Sequence, residues 1–222
     1  ITGINTASTG SIYFKGENVE KWSINKRGQY IGYVMQNPNH MITQHMIKDE
    51  VALGLKIRGF DEKVIEEKVF KALKICGLYS YRNWPVAALS YGQKKRLTIA
   101  SILILEPEVI ILDEPTAGQD HKHYREFMEF VKSLSNEGMG IILITHDMYL
   151  ALEYTNRAVV LSQGEKIADD KVSNILTNKE IIKQANLKET SLSKLADMIG
   201  VENSNDFVQS FIDYEKRVSS NE

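Results

Sequence analysis

Cysteine is almost missing from this chain: Cys76 is the only one among 222 residues. A single thiol excludes both an internal disulfide framework and a thiolate metal site within one chain, and it suits a reducing compartment. Long apolar runs are missing as well. The strongest, around residues 99–105 and 141–144, fall far short of the roughly 18 residues needed to span a bilayer. Any membrane role therefore has to come through a partner. Neither sign of charge dominates. The formal net charge is −2, and outside Lys94-Lys95-Arg96 the basic residues are scattered, which leaves no electrostatic footprint for nucleic acid or for an anionic membrane. What remains is an ordinary globular composition, 43% hydrophobic and 25% charged, sufficient for one full core and a small appendage.

Periodicity and punctuation outline the elements. Residues 11–15 read as a strand, Gly16-Glu17-Asn18 as a turn, and residues 30–35, where Tyr, Ile and Val cluster, as a second strand. Val64, Ile65, Val69, Ala72, Leu73 and Cys76 fall near helical spacing, so residues 61–76 read as a helix capped by Asp61 and ended by Gly77. A further helix is expected from Ser90 to Leu105. Residues 109–112 and 141–144 are short, continuous apolar runs of the kind found in strands buried on both faces of a parallel sheet. With residues 124–136 as crossover helix between them, they make a βαβ unit whose chemistry lies at the C-terminal strand ends. In the tail, three short helices are expected around Ile181, Ile182 and Ala185, around Leu192, Leu195 and Ile199, and around Phe207 to Ile212, the last capped by Asn205. Gly164 and Asp169-Asp170 read as turn residues without function, and Thr2-Gly3-Ile4-Asn5 as the end of something helical.

Four places carry chemistry. Asp113-Glu114 leaves a buried apolar strand, which is costly unless a cation or a hydrogen-bond network meets the carboxylates. Mg²⁺ meets that demand at Asp113, and the adjacent Glu114 is placed to orient a water or take its proton. Ser90 is a good N-cap, so the amides after it form an anion site, and Lys94, Lys95 and Arg96 in the first turns conflict with the macrodipole unless an anion sits in front of them. His146 follows the strand at residues 141–144, where an imidazole can bond a phosphate. Gln36 ends the strand at residues 30–35. His121 and His123 lack a third ligand at suitable spacing and read as an exposed helix.

Taken in order and spacing, Leu89-Ser90-Tyr91-Gly92-Gln93, then residues 109–116 ending in Leu112-Asp113-Glu114-Pro115-Thr116, then Ile144-Thr145-His146-Asp147 resemble the nucleotide-binding domain of ABC-type ATPases. The resemblance implies an α/β fold: a P-loop NTPase-like parallel sheet with a small antiparallel β part, a helical subdomain near residues 39–106 and a helical extension over 171–222 beyond an ATPase domain of 1–170. It implies Glu114, His146 and Gln36 as catalytic residues, Asp113 and Gln36 as Mg²⁺ residues, and Ser90, Gly92, Gln93 and Asp120 as nucleotide contacts, with ATP and Mg²⁺ as cofactors. The family's signature segment faces the nucleotide of a second ABC ATPase domain, so a homodimer, a heterodimer or a fused pair is expected. Tyr91 departs from the common L-S-G-G-Q pattern and reads as a tolerated variant.

No G-x-x-x-x-G-K-[ST] loop, the usual holder of the β- and γ-phosphates, occurs in the chain. The resemblance places it less than one helix upstream of Ile1, so that this piece by itself is expected to be nearly inactive. Gln36 and Ser90 are 54 positions apart, too close for the coiled-coil arms of chromosome-maintenance relatives. Transport is the better expectation, with integral membrane subunits as partners near Asn37-Pro38-Asn39-His40 and a location at the cytoplasmic membrane face. More narrowly, Gln36-Asn37-Pro38 and Ala117-Gly118-Gln119-Asp120 look like the energy-coupling-factor ATPases that drive vitamin and metal uptake. Two alternatives stand beside this. A soluble ABC ATPase acting on ribosomes or DNA would call for basic surface, and a degenerate, non-hydrolysing interaction module would have no chemical need for Ser90, Glu114 and His146 together.

Overall fold

The apolar runs that precede the acidic pair and the histidine become neighbouring strands. The computed structural model describes residues 1–117 and 121–219, and the chain divides into two compact units, Ile1–Ile144 and Thr145–Glu222.

The first unit opens with bends around Gly3 and Gly10, and no helix is found before α1 among the described residues. A small antiparallel pair follows, β1 (Tyr13–Phe14) and β2 (Glu17–Asn18). Its turn is tighter than the sequence suggested, because Lys15 and Gly16 both take positive φ, 50° and 82°, which leaves Glu17 and Asn18 free to pair. After the short helix α1 (Ile24–Arg27), capped by Ser23, comes β3 (Ile31–Val34).

Three helices then pack on one another: α2 (Ile47–Ile57), α3 (Glu62–Ile75) and α4 (Tyr91–Leu103). Their common core takes Ile47, Val51 and Leu55 from α2, Ile65, Val69 and Leu73 from α3, and Leu97 from α4, all buried. Burying each such side chain stabilises by roughly 1.5–3 kcal/mol. Asp61 caps α3 by accepting from the amide of Lys63 at 2.9 Å, and Gly77, at φ 70°, turns the chain away from its end. α2 is the one helix of this block that its own sequence pattern did not delimit.

The strands β4 (Val109–Asp113) and β5 (Gly140–Ile144) are joined by the crossover helix α5 (His121–Asn136). The parallel sheet has the order β3-β4-β5, in the register Val34↔Leu112 and Leu112↔Leu143. β4 is central, and Ile110, Ile111 and Leu112 are buried. Among the described residues β5 is paired on one side only, and Ile142 and Ile144 remain exposed. α4 lies close over β3 because Gly32 has no side chain: a Cβ there would come within 2.2 Å of Ile102 Cγ2.

The second unit starts with α6 (Met148–Tyr154), capped by Asp147, and the hairpin β6 (Arg157–Ser162) to β7 (Glu165–Lys171). Gln163 and Gly164, at φ 50° and 83°, make its turn. Asp169 and Asp170 therefore lie in a strand rather than a turn, with Asp169 bonded to Arg157 and Lys166. The tail continues as α7 (Val172–Thr177), α8 (Lys179–Gln184), α9 (Ser191–Ile199) and α10 (Ser204–Ser219). Met148, Leu152, Val160, Val172, Ile175, Leu176, Val208 and Ile212 form the core of this unit. The cap before α10 is Asn203, which accepts from the amide of Asp206. Asn205 sits inside the helix and receives the hydroxyl of Thr177. Among the described residues no helix is long and apolar enough to cross a membrane.

Candidate functional site

Parallel strands in register deliver their next residues to the same edge, and this sheet edge gathers three of the expected site residues, Gln36, Asp113 and Glu114. Gln36 leaves β3 two residues after Val34, while Asp113 ends β4 and Glu114 follows it. Gln36 is exposed, and both carboxylates are half-buried. Asp113 Oδ2 accepts a 2.7 Å hydrogen bond from the phenol of Tyr33. That contact pushes the Tyr33 hydroxyl above its ordinary pKa, with burial and the aspartate charge acting in the same direction. Because Tyr33 pairs with Ile111, Asp113 is its diagonal neighbour two residues on, on the same sheet face.

Glu114 takes φ 44°, a left-handed conformation rare for a residue with a side chain. Its amide donates to Ile144 O at 2.9 Å, and its carbonyl accepts from the amide of Ala117 at 3.2 Å. The chain thus bends sharply away from the sheet at the carboxylate.

Ser90 caps α4 in a capping box: its hydroxyl accepts from the amide of Gln93 at 3.3 Å, and Gln93 Oε1 accepts from the amide of Ser90 at 2.9 Å. Ser90 is exposed and Gly92 is partly so, leaving the helix N-terminus open. The basic residues after it are engaged by oxygens of the same chain. Lys94 donates to Asn39 Oδ1 at 3.1 Å, and Arg96 donates to Glu126 O at 3.1 Å and lies over the Phe130 ring. Lys95 is buried and donates to the carbonyls of Glu114, Pro115 and Ala117. Their conflict with the macrodipole is therefore met by backbone and amide oxygens and does not by itself call for a phosphate. Burial pulls the Lys95 amine down to about 8, with the Glu114 charge opposing it.

The loop after Gln36 is shaped by Glu50, a buried carboxylate whose Oε2 accepts from the amides of Thr43 at 2.8 Å and Gln44 at 2.7 Å. Asn37 caps the turn Pro38–His40. His146 is exposed and belongs to the second unit, one residue before the cap of α6. Asp120 lies outside the described residues.

Tyr33 and Glu50 were not among the residues singled out from sequence, and Lys95 was singled out as one of three cations in the first turns of α4, not as a buried side chain. Tyr33 had a legible signal, since alternation places it on the face of Asp113 once the strand register is known. Glu50 had none, and the burial of Lys95 had none either, because a charged side chain on a helix is ordinarily solvated.

An open α/β sheet with polar and acidic residues at its C-terminal edge is the place where such folds bind ligands. The family model described as ABC transporter matches residues 1–117, just over half of the chain. An ABC transporter ATP-binding protein of Clostridium perfringens is 59% identical over 216 residues, 97% of this chain and 38% of that protein. The solved structure of CbiO1 from Clostridium perfringens, part of the ABC transporter complex CbiONQ, is 32% identical with a TM-score of 0.75 over 90% of this chain and 80% of that one. A dimeric post-hydrolysis state of the ATP-binding cassette MJ0796 with ADP and Pi is 25% identical, with a TM-score of 0.66 over 78% of this chain and 77% of that one. The chain belongs to the ABC transporter ATP-binding family and has the P-loop NTPase-like fold of its ATPases. It spans 38% of the length of the curated relative quoted.

Proposed function

We propose that the protein containing this chain binds and hydrolyses ATP to drive a membrane transporter of the energy-coupling-factor type, importing a vitamin or a metal ion. One observation carries the reading: β3 and β4 are parallel and in register, so Gln36 and the Asp113-Glu114 pair emerge at one sheet edge. Similarity to CbiO1, described as part of a CbiONQ transporter complex, supports the narrower class.

In this reading Glu114, at the bend after β4, orients the attacking water and takes up its proton, assisted by Gln36 and His146. Asp113 and Gln36 would hold Mg²⁺, which spreads the phosphate charge. The donor set suits a hard cation, since Asp113 Oδ2 is partnered by a neutral phenol that leaves its negative charge uncancelled. Ser90 and Gly92 present the N-terminus of α4 to the nucleotide of a second ABC ATPase domain, Gln93 stiffens it through the capping box, and Asp120 is assigned as a further nucleotide contact. The domain limits proposed are 1–170 for the ATPase and 171–222 for the extension. Integral membrane subunits would engage the segment after Gln36 at the cytoplasmic face.

The phosphate loop is assigned to a part of the whole protein outside these residues. Two features support that assignment: the relative quoted is much longer than this chain, and Ile142 and Ile144 lie exposed on β5, whose second side is unpaired among the described residues. The test is ATP turnover and ATP binding by the full-length protein with Glu114→Gln. Retained binding with turnover lowered about a hundredfold or more supports the reading. Unchanged turnover removes Glu114 from the mechanism, and a wild-type protein that hydrolyses no Mg-ATP sinks the ATPase assignment.

A further inference from the structure

Lys95 is among the largest fully buried side chains of the chain, 2% exposed, and it is a cation. An ammonium taken out of water is costly unless its donors are met. It has three N–H groups, and three carbonyls receive them: Glu114 at 3.4 Å, Ala117 at 3.3 Å, and Pro115. All three belong to the short bend that carries the Glu114 carboxylate. That bend holds Glu114 at φ 44°, a conformation that costs on the order of 1 kcal/mol and persists only where its surroundings enforce it.

Tyr91 stands one helical turn before Lys95, on the same face of α4. Its ring centroid is 5.2 Å from Lys95 Nζ, and its hydroxyl donates to Gln36 O at 3.3 Å. A glycine, the residue of the common L-S-G-G-Q pattern, could make neither contact. Three chain segments that the site needs are thus joined through two side chains: the end of β3, the N-terminus of α4 and the bend after β4.

We propose that Lys95 and Tyr91 are positioning residues that tie the backbone of Glu114 and of Gln36 to the helix headed by Ser90, so that the residues serving one domain's own nucleotide and those offered to the second domain's nucleotide move as one piece. The coupling of the two nucleotides rests on the ATPase reading above; the mechanical tie does not. Neither residue touches substrate in this role. Lys95 sets the position of Glu114, and Tyr91 replaces a flexible glycine by a strut to Gln36.

The test uses the full-length protein with Lys95→Met, Lys95→Gln, Tyr91→Phe and Tyr91→Gly, followed by steady-state ATP turnover and by hydrogen exchange of the amides of Asp113, Glu114, Thr116 and Ala117 within residues 113–117. Methionine keeps the length of the side chain and removes its donors, and glutamine restores two of them. For Lys95→Met the expected result is kcat lowered about tenfold, KM for ATP within about twofold, and exchange at 113–117 faster by about tenfold. Lys95→Gln recovers at least half of each loss on a logarithmic scale. Tyr91→Phe, which removes only a partly exposed hydroxyl, keeps the fold and lowers kcat about threefold, and Tyr91→Gly lowers it further. Wild-type exchange in Lys95→Met overturns the tie, as does an equal loss of binding and turnover that glutamine does not rescue. If Lys95→Met does not fold, unchanged kcat in both Tyr91 variants overturns the proposal. If the wild-type protein shows no turnover, the ATPase reading fails, while hydrogen exchange still decides whether Lys95 holds the bend.

Discussion

The phenol of Tyr33 donates a 2.7 Å hydrogen bond to Asp113 Oδ2 across two neighbouring parallel strands. Tyr33 is thereby the partner that orients the carboxylate proposed to face Mg²⁺. Loss of such an outer partner costs about tenfold or more in metal affinity. Tyr33→Phe is therefore expected to raise the Mg²⁺ concentration for half-maximal ATP turnover about tenfold while leaving the ATP-saturated rate nearly intact. A Mg²⁺ titration of the full-length protein checks this, and an unchanged midpoint would exclude the role.

Glu114 combines a carboxylate proposed to serve hydrolysis with a strained backbone, φ 44°. The two can be separated by substitution. Glu114→Gln keeps an unbranched side chain and is expected to unfold within about 0.5 kcal/mol of wild type. Glu114→Ile adds a β-branch in the left-handed region and is expected to cost about 1–2 kcal/mol more. Urea unfolding of both variants decides it: equal midpoints would mean that the bend relaxes at no cost.

The close approach of α4 to β3 depends on Gly32, where a Cβ would lie 2.2 Å from Ile102 Cγ2 and 3.5 Å from Ile110 Cγ1. Gly32→Ala is expected to destabilise by about 1–3 kcal/mol through overpacking. Since the closest clash is with Ile102, adding Ile102→Ala should restore part of the loss although it deletes half-buried methyl groups. Thermal unfolding of the two single variants and the double variant reads this coupling. Strict additivity would place the cost elsewhere.

Cys76 is fully buried, and burial pushes its thiol up to about 12, with Arg96 pulling weakly the other way. It should resist alkylating reagents in the native state and react only on opening. The sign of its linkage follows from the raised value. Below the unfolded pKa both states are protonated and nothing changes, whereas from about pH 9 upward the unfolded chain releases the proton that the native state keeps. Stability therefore falls as pH rises from about 9 towards 12, by about 2 kcal/mol at pH 10.5. Cys76→Ala should lack this component of the decline. Denaturant titrations of both proteins at pH 8 and pH 10.5 measure it, and parallel declines would refute it.

Much of the fold was legible in the residues. The apolar runs at 109–112 and 141–144 became strands, the first with Ile110, Ile111 and Leu112 buried and the second with Ile142 and Ile144 exposed, and Asp61 and Ser90 cap α3 and α4 as expected. Short segments were harder to read. Lys15 and Gly16 closed a tighter turn than expected, Asp169-Asp170 joined a strand because Arg157 and Lys166 pair with Asp169, and the cap of α10 moved from Asn205 to Asn203. For Asp169 and Asn205 a contact from another element, with Arg157 and with Thr177, outweighed the local preference, whereas the turn was set by the positive φ of Lys15 and Gly16.

The sequence by itself determined most of the order of elements and the family, because periodicity, capping and motif spacing are local properties of the chain. What it could not determine was where long side chains end. Lys95 might have pointed to solvent, to a phosphate or inward, and only the packing of α4 against the bend after β4 brings three carbonyls to its amine. Tyr33 and Tyr91 find Asp113 and Gln36 in the same way, since the partners of a long polar side chain are set by which segments tertiary structure brings within about 3 Å of its end.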